Sequence, residues 1–100
     1  MPRFRLKVTA MKVRRHFYFS GRVQGVGFRY RATYAARAAK LTGWVKNLWD
    51  GRVEMEIQGD DALITRLLYD LRKDRFIRIT GVESEELPLV DGERDFRPTG

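Results

Sequence analysis

The order of strand-like and helix-like segments constrains the fold of this chain more than any other feature of its sequence. Apolar and polar residues alternate from 13 to 20, where Phe17 and Phe19 share one face. They alternate again from 52 to 58. Between these two segments, residues 28–41 carry apolar side chains at the spacing of a helix. The chain therefore begins with a strand, continues with a helix and returns to strands.

The rest of the chain supplies four more elements. Residues 43–49 are a second predicted strand, and Asp50-Gly51 predicts a two-residue type I′ hairpin into the strand at 52–58. Gly59-Asp60-Asp61 then predicts the capped start of a second helix. The predicted apolar stripe of this helix consists of Leu63, Ile64, Leu67, Leu68 and Leu71. Residues 76–82 predict a fourth strand, and residues 94–97 predict a short fifth strand.

The element order β-α-β-β-α-β predicts an α+β fold, the ferredoxin-like βαββαβ sandwich. Right-handed crossovers give a four- to five-stranded antiparallel sheet with two helices on one face. Residues 1–11 are predicted to be a basic N-terminal extension, and residues 12–98 a single domain. This fold is compatible with many activities, so function has to be argued from particular residues.

A glycine-rich segment at residues 21–27 joins the first strand to the first helix. Glycines at 21, 25 and 27 allow successive backbone N–H groups to turn inward as an anion nest. The N–H groups at the start of the helix favour negative charge in the same place, and Arg29 adds a guanidinium that matches two phosphate oxygens. The segment is neither a dinucleotide fingerprint nor a Walker motif. A tight strand-to-helix connection without a ligand is the alternative.

Charge is distributed unevenly along the chain. Residues 1–49 contain twelve Lys or Arg and no acid, since the first carboxylate is Asp50, whereas residues 50–100 contain eight basic and thirteen acidic residues. The two parts therefore carry +12 and −5, which sum to the net charge of +7. This asymmetry favours an anionic partner, either nucleic acid or a small phosphorylated ligand. A solvated basic surface is the alternative interpretation.

Several classes of chemistry have no support in the composition. The chain has no cysteine, which excludes disulfides and thiolate nucleophiles, and His16 is its one histidine, without a predicted partner. No metal site and no cofactor are expected. The N-terminal segment lacks the hydrophobic stretch of a signal peptide, and no apolar run reaches the ~20 residues of a membrane span. A monomeric cytoplasmic protein is the expectation.

Two motifs, GRVQGVGFR at 21–29 and GWVKNLWDGRVEMEIQGD at 43–60, closely resemble the acylphosphatase family. The likeness extends from Met11 to Phe96. It implies an enzyme of the same βαββαβ fold that hydrolyses the carboxyl–phosphate bond of small acyl phosphates without a metal. Inorganic phosphate would be both product and inhibitor. The resemblance implies that Arg29 binds the phosphate and Asn47 orients the attacking water. The phosphate-binding loop would comprise Arg22, Val23, Gln24, Gly25, Val26 and Gly27.

The chain departs from the family pattern at two places outside these motifs. A Gly-Pro turn usually follows the second helix, where this chain has KDRFIRIT at residues 73–80. A glycine commonly ends the first helix, where this chain has Lys40. Both departures concern the geometry of local turns.

Two other functions remain compatible with the sequence. A non-catalytic RNA-binding module shares the βαββαβ topology and would account for the basic half, but its aromatic signature belongs on a central strand, and Gly27-Phe28 opens a helix here. Nucleic acid is therefore not the expected partner. The second alternative is an acylphosphatase-like domain for carbamoyl-phosphate transfer within a larger enzyme. The chain ends at Gly100 with no partner domain, so this alternative is not the expectation.

Overall fold

The computed structural model describes residues 11–100, which form five strands and two helices. The predicted N-terminal extension lies outside the described residues apart from Met11. Neither helix in the described range is long and apolar enough to cross a bilayer. The elements, in chain order, are β1 (Lys12–Arg22), α1 (Phe28–Ala38), β2 (Thr42–Asn47), β3 (Val53–Asp60), α2 (Asp61–Lys73), β4 (Arg78–Leu87) and β5 (Phe96–Thr99).

The strands form one sheet in the order β4-β1-β3-β2-β5. β1 lies between β4 and β3 and is antiparallel to both, and β3 is also antiparallel to β2. These pairings confirm the predicted ferredoxin-like α+β fold. The short fifth strand pairs with β2 in the parallel direction, with Gly43 opposite Phe96. The sheet is therefore mixed, and the expectation of antiparallel pairing is corrected at this one edge.

The direction of β5 follows from the segment that leads to it. β4 and β5 occupy opposite edges of the sheet, so residues 88–95 have to cross its width. Side chains of the central strands hold this crossing segment. The Gln58 amide donates to the carbonyl of Val90 at 2.9 Å and accepts from its N–H at 2.8 Å, and the Arg14 guanidinium donates to Glu93 at 2.8 Å. Because the chain reverses during the crossing, β5 runs alongside β2.

The core lies between the sheet and the two helices, as the alternation in the sequence predicts. Phe17 and Phe19 are buried, and their rings stack with centroids 5.4 Å apart. The helices contribute buried stripes at the predicted spacing, although Leu63 of the second stripe is exposed. The buried apolar residues of the two helices are Phe28, Ala32, Ala36, Ile64, Leu67 and Leu71.

The hairpin between β2 and β3 differs from the predicted two-residue turn. Leu48 N–H donates to the Arg52 carbonyl at 2.8 Å, and Gly51 N–H donates to the Leu48 carbonyl at 3.2 Å, which leaves a three-residue loop. Only Gly51, at φ 92°, has the positive φ that a type I′ turn would need at two positions. Asp50 stabilises the loop from its side chain. Its pKa is lowered by a hydrogen bond from the Arg52 backbone N–H and by the Arg52 guanidinium.

Ion pairs in the fold offset part of the uneven charge of the sequence. Five basic residues of the first half pair with acids of the second half: Arg14 with Glu56 and Glu93, Arg15 with Asp61, Arg31 with Asp74, Arg37 with Asp95 and Lys46 with Glu54. Much of the charge asymmetry therefore reflects pairing within the fold rather than a continuous basic surface. Any anion site has to be found among the basic residues that remain.

Helix α1 ends at Ala38, earlier than the predicted residue 41, in a turn that places Lys40 at φ 57°. The Leu41 N–H donates to the Ala36 carbonyl at 2.8 Å, as in a Schellman motif, which favours glycine at this left-handed position.

We expect Lys40→Gly to raise the free energy of unfolding by about 0.5–1 kcal/mol, because it removes the cost of a side chain at positive φ. Chemical denaturation measures this change. Lys40→Ala is the control and should bring no gain, whereas destabilisation by Lys40→Gly would contradict the assignment.

Candidate active site

The loop between β1 and α1, residues 23–27, has a backbone that only glycine adopts readily at two positions. Gly25 has φ 72° and Gly27 has φ 85°. Gly27 is also the N-cap of α1, and no side chain caps the N-terminus of this helix. A side chain at either position would be strained in this backbone. The glycines therefore let the chain turn sharply into the helix and leave the helix start uncovered.

The uncovered N–H groups extend from the loop into the first turn of α1. Within residues 11–100, no backbone N–H of residues 23–30 donates to another protein group, and the first such bond of α1 runs from Arg31 N–H to the Gly27 carbonyl at 3.0 Å. Unpaired amides at a helix N-terminus carry partial positive charge and attract anions. The strand-to-helix connection therefore offers a run of free donors in one place.

Side chains of the same loop fix it to the rest of the fold. The Gln24 amide donates to the carbonyls of Leu48 at 2.7 Å and Arg52 at 2.9 Å, so it joins the loop to the β2–β3 hairpin. Val23 is buried in the core, and Val26 packs against the core. The side chains of Val23, Gln24 and Val26 are all engaged in contacts within the fold. Their backbone N–H groups are therefore what these residues can offer an anion. These contacts fix the loop to the hairpin and to the core, an arrangement that favours preorganised donors.

A concavity of about 190 Å³ lies where this loop, the start of α1 and the end of β2 meet. We call it the phosphate concavity. It brings together Arg29 and Asn47, which are far apart in the sequence. The residues that line it are Val23, Gly25, Gly27, Phe28, Arg29, Tyr30 and Asn47.

Arg29 stands out among the arginines of α1. Arg31 forms an ion pair with Asp74 at 2.7 Å, and Arg37 forms one with Asp95 at 3.1 Å. Arg29 forms no ion pair and no side-chain hydrogen bond within the described range. It is half-buried at the wall of the phosphate concavity. A guanidinium with free donors in such a recess is suited to bind an anion with two oxygens.

Asn47 is the last residue of β2, opposite Val53 in the register with β3. Its side-chain amide takes part in none of the side-chain hydrogen bonds within residues 11–100, although the residue is half-buried. The anchored hairpin begins one residue later, because Gln24 binds the carbonyl of Leu48. The position of Asn47 relative to the loop is therefore fixed by the same side chain that anchors the loop.

The structure places part of the predicted phosphate-binding set in the concavity. Val23, Gly25, Gly27 and Arg29 line it, whereas Arg22, Gln24 and Val26 do not. Arg22 is exposed at the end of β1. Phe28 and Tyr30 line the concavity without having been predicted. One feature of the sequence could have identified Tyr30: it is an aromatic residue next to Arg29 that lies outside the apolar stripe of the helix. The roles of all these residues stay predictions.

The histidine has a partner, contrary to the expectation. His16 Nε2 lies 2.7 Å from Glu54 Oε2, on the face of the sheet that is turned away from the helices. The pairing was missed because residues 16 and 54 meet only through the register of β1 and β3. His16 does not line the phosphate concavity. Within residues 11–100, no three His, Cys, Asp or Glu side chains converge as a set of metal ligands.

The fold and the concavity define a class of protein: a small α+β domain whose strand-to-helix loop leaves the N-terminus of its first helix uncapped. A sequence model of the acylphosphatase family matches residues 15–98. The chain belongs to the acylphosphatase family.

Individual relatives agree with this assignment. An acylphosphatase of Clostridium beijerinckii is 42% identical over 77 residues, covering 76% of this chain and 86% of that protein. Among solved structures, the chain is similar to an acylphosphatase from Bacillus subtilis, with a TM-score of 0.80, 32% identity, and 88% of this chain and 99% of that chain covered. The HypF structure from T. kodakarensis matches at a TM-score of 0.75 and 34% identity, covering 90% of this chain and 12% of that chain.

Proposed function

We propose that this acylphosphatase binds the phosphoryl group of an acyl phosphate in the phosphate concavity and directs water onto it. One observation carries the proposal: one recess is lined by Arg29 and Asn47, whose side chains are unpaired within residues 11–100, and by residues 23, 25 and 27–30, whose backbone N–H groups are free. Each is a polar group without a protein partner in the part of the chain that the structure describes. A bound phosphoryl group and a water molecule supply the partners.

In this proposal, Arg29 and the loop bind the phosphate. During phosphoryl transfer, charge spreads over the three equatorial oxygens of phosphorus. Donors that are already in place stabilise that charge without reorganising during the reaction. The Gly25 and Gly27 backbone and the Arg29 fork provide such donors, and the Gln24 hydrogen bonds hold the loop in position.

The role of Asn47 is to orient the attacking water. A carboxamide both donates and accepts hydrogen bonds, so Asn47 can fix a water molecule in line with the bond that breaks without taking its proton. The water oxygen forms a bond to phosphorus, and the bond from phosphorus to the acyl oxygen breaks. The carboxylate leaves with that electron pair. Both protons of the water remain on the phosphate, which then equilibrates with the buffer.

The leaving group determines which substrates such a site can process. The conjugate acid of a carboxylate leaving group has a pKa of about 4, so no general acid is needed to expel it. The lining of the concavity contains no carboxylate and no imidazole. A site of this kind suffices for an acyl phosphate and lacks the general acid that an ordinary phosphate ester would require.

We expect the purified protein to hydrolyse benzoyl phosphate at an unchanged rate in excess EDTA. Release of benzoate and phosphate, followed with and without EDTA and then with added Mg²⁺, measures this. Activity that is lost in EDTA and restored by Mg²⁺ would contradict the metal-free mechanism. A parallel titration with single-stranded RNA at physiological salt tests the alternative function, and RNA binding without hydrolysis would replace the proposal.

A further inference from the structure

A larger recess opens directly beside the phosphate concavity. It runs along α1 towards β5, has a volume of about 860 Å³, and is called the α1 groove here. Arg29 and Tyr30 line both recesses. Beyond them the groove is lined by Thr33, Tyr34, Ala38 and Pro98. The two recesses therefore adjoin each other at Arg29 and Tyr30.

Two exposed tyrosines line the groove. Tyr30 is 74% exposed and Tyr34 is 70% exposed. Their rings lie nearly parallel, at an interplanar angle of 22°, with centroids 6.4 Å apart. Large exposed aromatic surfaces side by side in a small domain are typical of a binding site rather than of bare solvent contact. Their faces suit another planar, apolar group.

The far end of the groove provides no strong charge. Arg37 lies there, but its guanidinium donates to Asp95 Oδ1 at 3.1 Å, to Asp95 Oδ2 at 3.4 Å and to the Phe96 carbonyl at 3.0 Å. Its charge is thereby paired within the protein. Among residues 11–100, the unpaired cation of the groove is Arg29, at the end shared with the phosphate concavity. The occupant should therefore be anionic at that end and uncharged along the rest of its length.

The recess on the opposite side of the two tyrosines is a poorer candidate. It shares Tyr30 and Tyr34 with the α1 groove, but its lining includes Asp70 and Asp74 and excludes Arg29. Arg31 also lines this recess and pairs with Asp74, and Asp70 pairs with Arg66, so within residues 11–100 the recess offers an anion no unpaired cation. The distribution of charge thus selects the α1 groove as the continuation of the site.

We propose that the α1 groove is the acyl subsite and that it favours acyl phosphates with a planar aromatic acyl group. This inference rests on the proposed function, since it takes the phosphoryl group to be bound beside Arg29. The acyl carbon is separated from phosphorus by one bridging oxygen, so the acyl group has to lie at the mouth of the phosphate concavity. There Tyr30 begins the groove, and an aromatic ring extends from it towards Tyr34.

The test compares kcat/KM for benzoyl phosphate and acetyl phosphate. Tyr34 lines the groove but not the phosphate concavity, so Tyr34→Ala should lower kcat/KM for benzoyl phosphate about 3- to 10-fold, the range expected for one lost aromatic contact. The value for acetyl phosphate and inhibition by inorganic phosphate should stay unchanged. Tyr34→Phe should retain the preference. Tyr69→Ala is the matched control, because Tyr69 is an exposed tyrosine of α2 outside the groove.

The outcomes separate the subsite from the activity. Equal losses for both substrates in Tyr34→Ala, or none for benzoyl phosphate, would overturn the subsite while leaving the proposed function intact. If neither substrate were hydrolysed, the proposed function would fail, and calorimetric titration with benzoylphosphonate and acetylphosphonate would then decide about the groove. Tighter binding of benzoylphosphonate that Tyr34→Ala abolishes supports the subsite, and equal binding of the two phosphonates overturns it.

Discussion

Arg29→Ala should lose on the order of 10³-fold in kcat/KM for benzoyl phosphate and most of its inhibition by inorganic phosphate. The guanidinium is unpaired within residues 11–100 and lines the phosphate concavity, so its removal deletes the largest positive charge facing the phosphoryl group. Because Arg29 is proposed to contact phosphate in the ground state and in the transition state, both binding and turnover should fall. Steady-state kinetics with phosphate as a competitive inhibitor measures the two effects together.

Two further variants separate charge from geometry. Arg29→Lys should recover little activity, because an ammonium group cannot bind two oxygens as a planar fork. Arg31→Ala is the matched control: it removes a guanidinium from the same helix, one that is paired with Asp74 and does not line the concavity. It should keep turnover and phosphate inhibition. All three variants have to retain the wild-type circular dichroism spectrum. Normal phosphate inhibition in a folded Arg29→Ala variant would place the anion site elsewhere.

Asn47→Ala should lower kcat about 10²-fold or more while phosphate inhibition persists. The amide is proposed to hold the water and not the phosphate, so its loss misplaces the nucleophile without removing a phosphate ligand. The separation between kcat and the inhibition constant distinguishes this variant from Arg29→Ala. Steady-state kinetics with benzoyl phosphate, in the presence and absence of phosphate, measures both quantities.

Lys46→Ala provides the control for this strand end. Lys46 precedes Asn47 on β2, but its ammonium group pairs with Glu54 at 3.7 Å and lies over the Trp44 ring, away from the concavity. Its kcat should stay near that of the wild type. An Asn47→Ala variant that lost phosphate inhibition and kept its kcat would reverse the assigned roles.

Most elements of the fold could be predicted because they show a local periodicity. The alternation that includes Phe17 and Phe19 and the stripe from Ile64 to Leu71 both mark the face that packs on the core. The pairing of β5 could not be predicted in this way. Its direction depends on the segment 88–95, which Gln58 and Arg14 hold across the sheet through contacts distant in sequence. A local pattern carries no information about such contacts.

The hairpin shows a similar limit on a smaller scale. Asp50-Gly51 tolerates several turn types, and the sequence alone favours the two-residue form. The structure closes the loop one residue earlier, through the pairing of Leu48 with Arg52. The Gln24 amide binds the carbonyls of both residues, so contact with the glycine loop stabilises this pairing. The turn is therefore stabilised by a segment more than twenty residues away.

The candidate site also contains both kinds of residue: some could be recognised from the local sequence, and others could not. Arg29 and the glycines lie together in the sequence, and their chemistry indicated an anion site without a structure. Asn47 was predicted as a site residue only from the resemblance to acylphosphatases, because no local feature of the sequence distinguishes a functional asparagine at the end of a strand. The anchoring role of Gln24 was missed altogether: its acceptors are backbone carbonyls, which any residue would present.

The central claim is that phosphate is bound by the free amides of the loop and by Arg29. Titration of the isotope-labelled protein with inorganic phosphate, followed by amide proton and nitrogen chemical shifts, tests it directly. We predict saturable shifts that concentrate on the N–H groups of residues 23–30 and on the Asn47 side-chain amide, and that disappear in Arg29→Ala. Saturable shifts centred on another part of the molecule, or shifts that persist unchanged in Arg29→Ala, would contradict it.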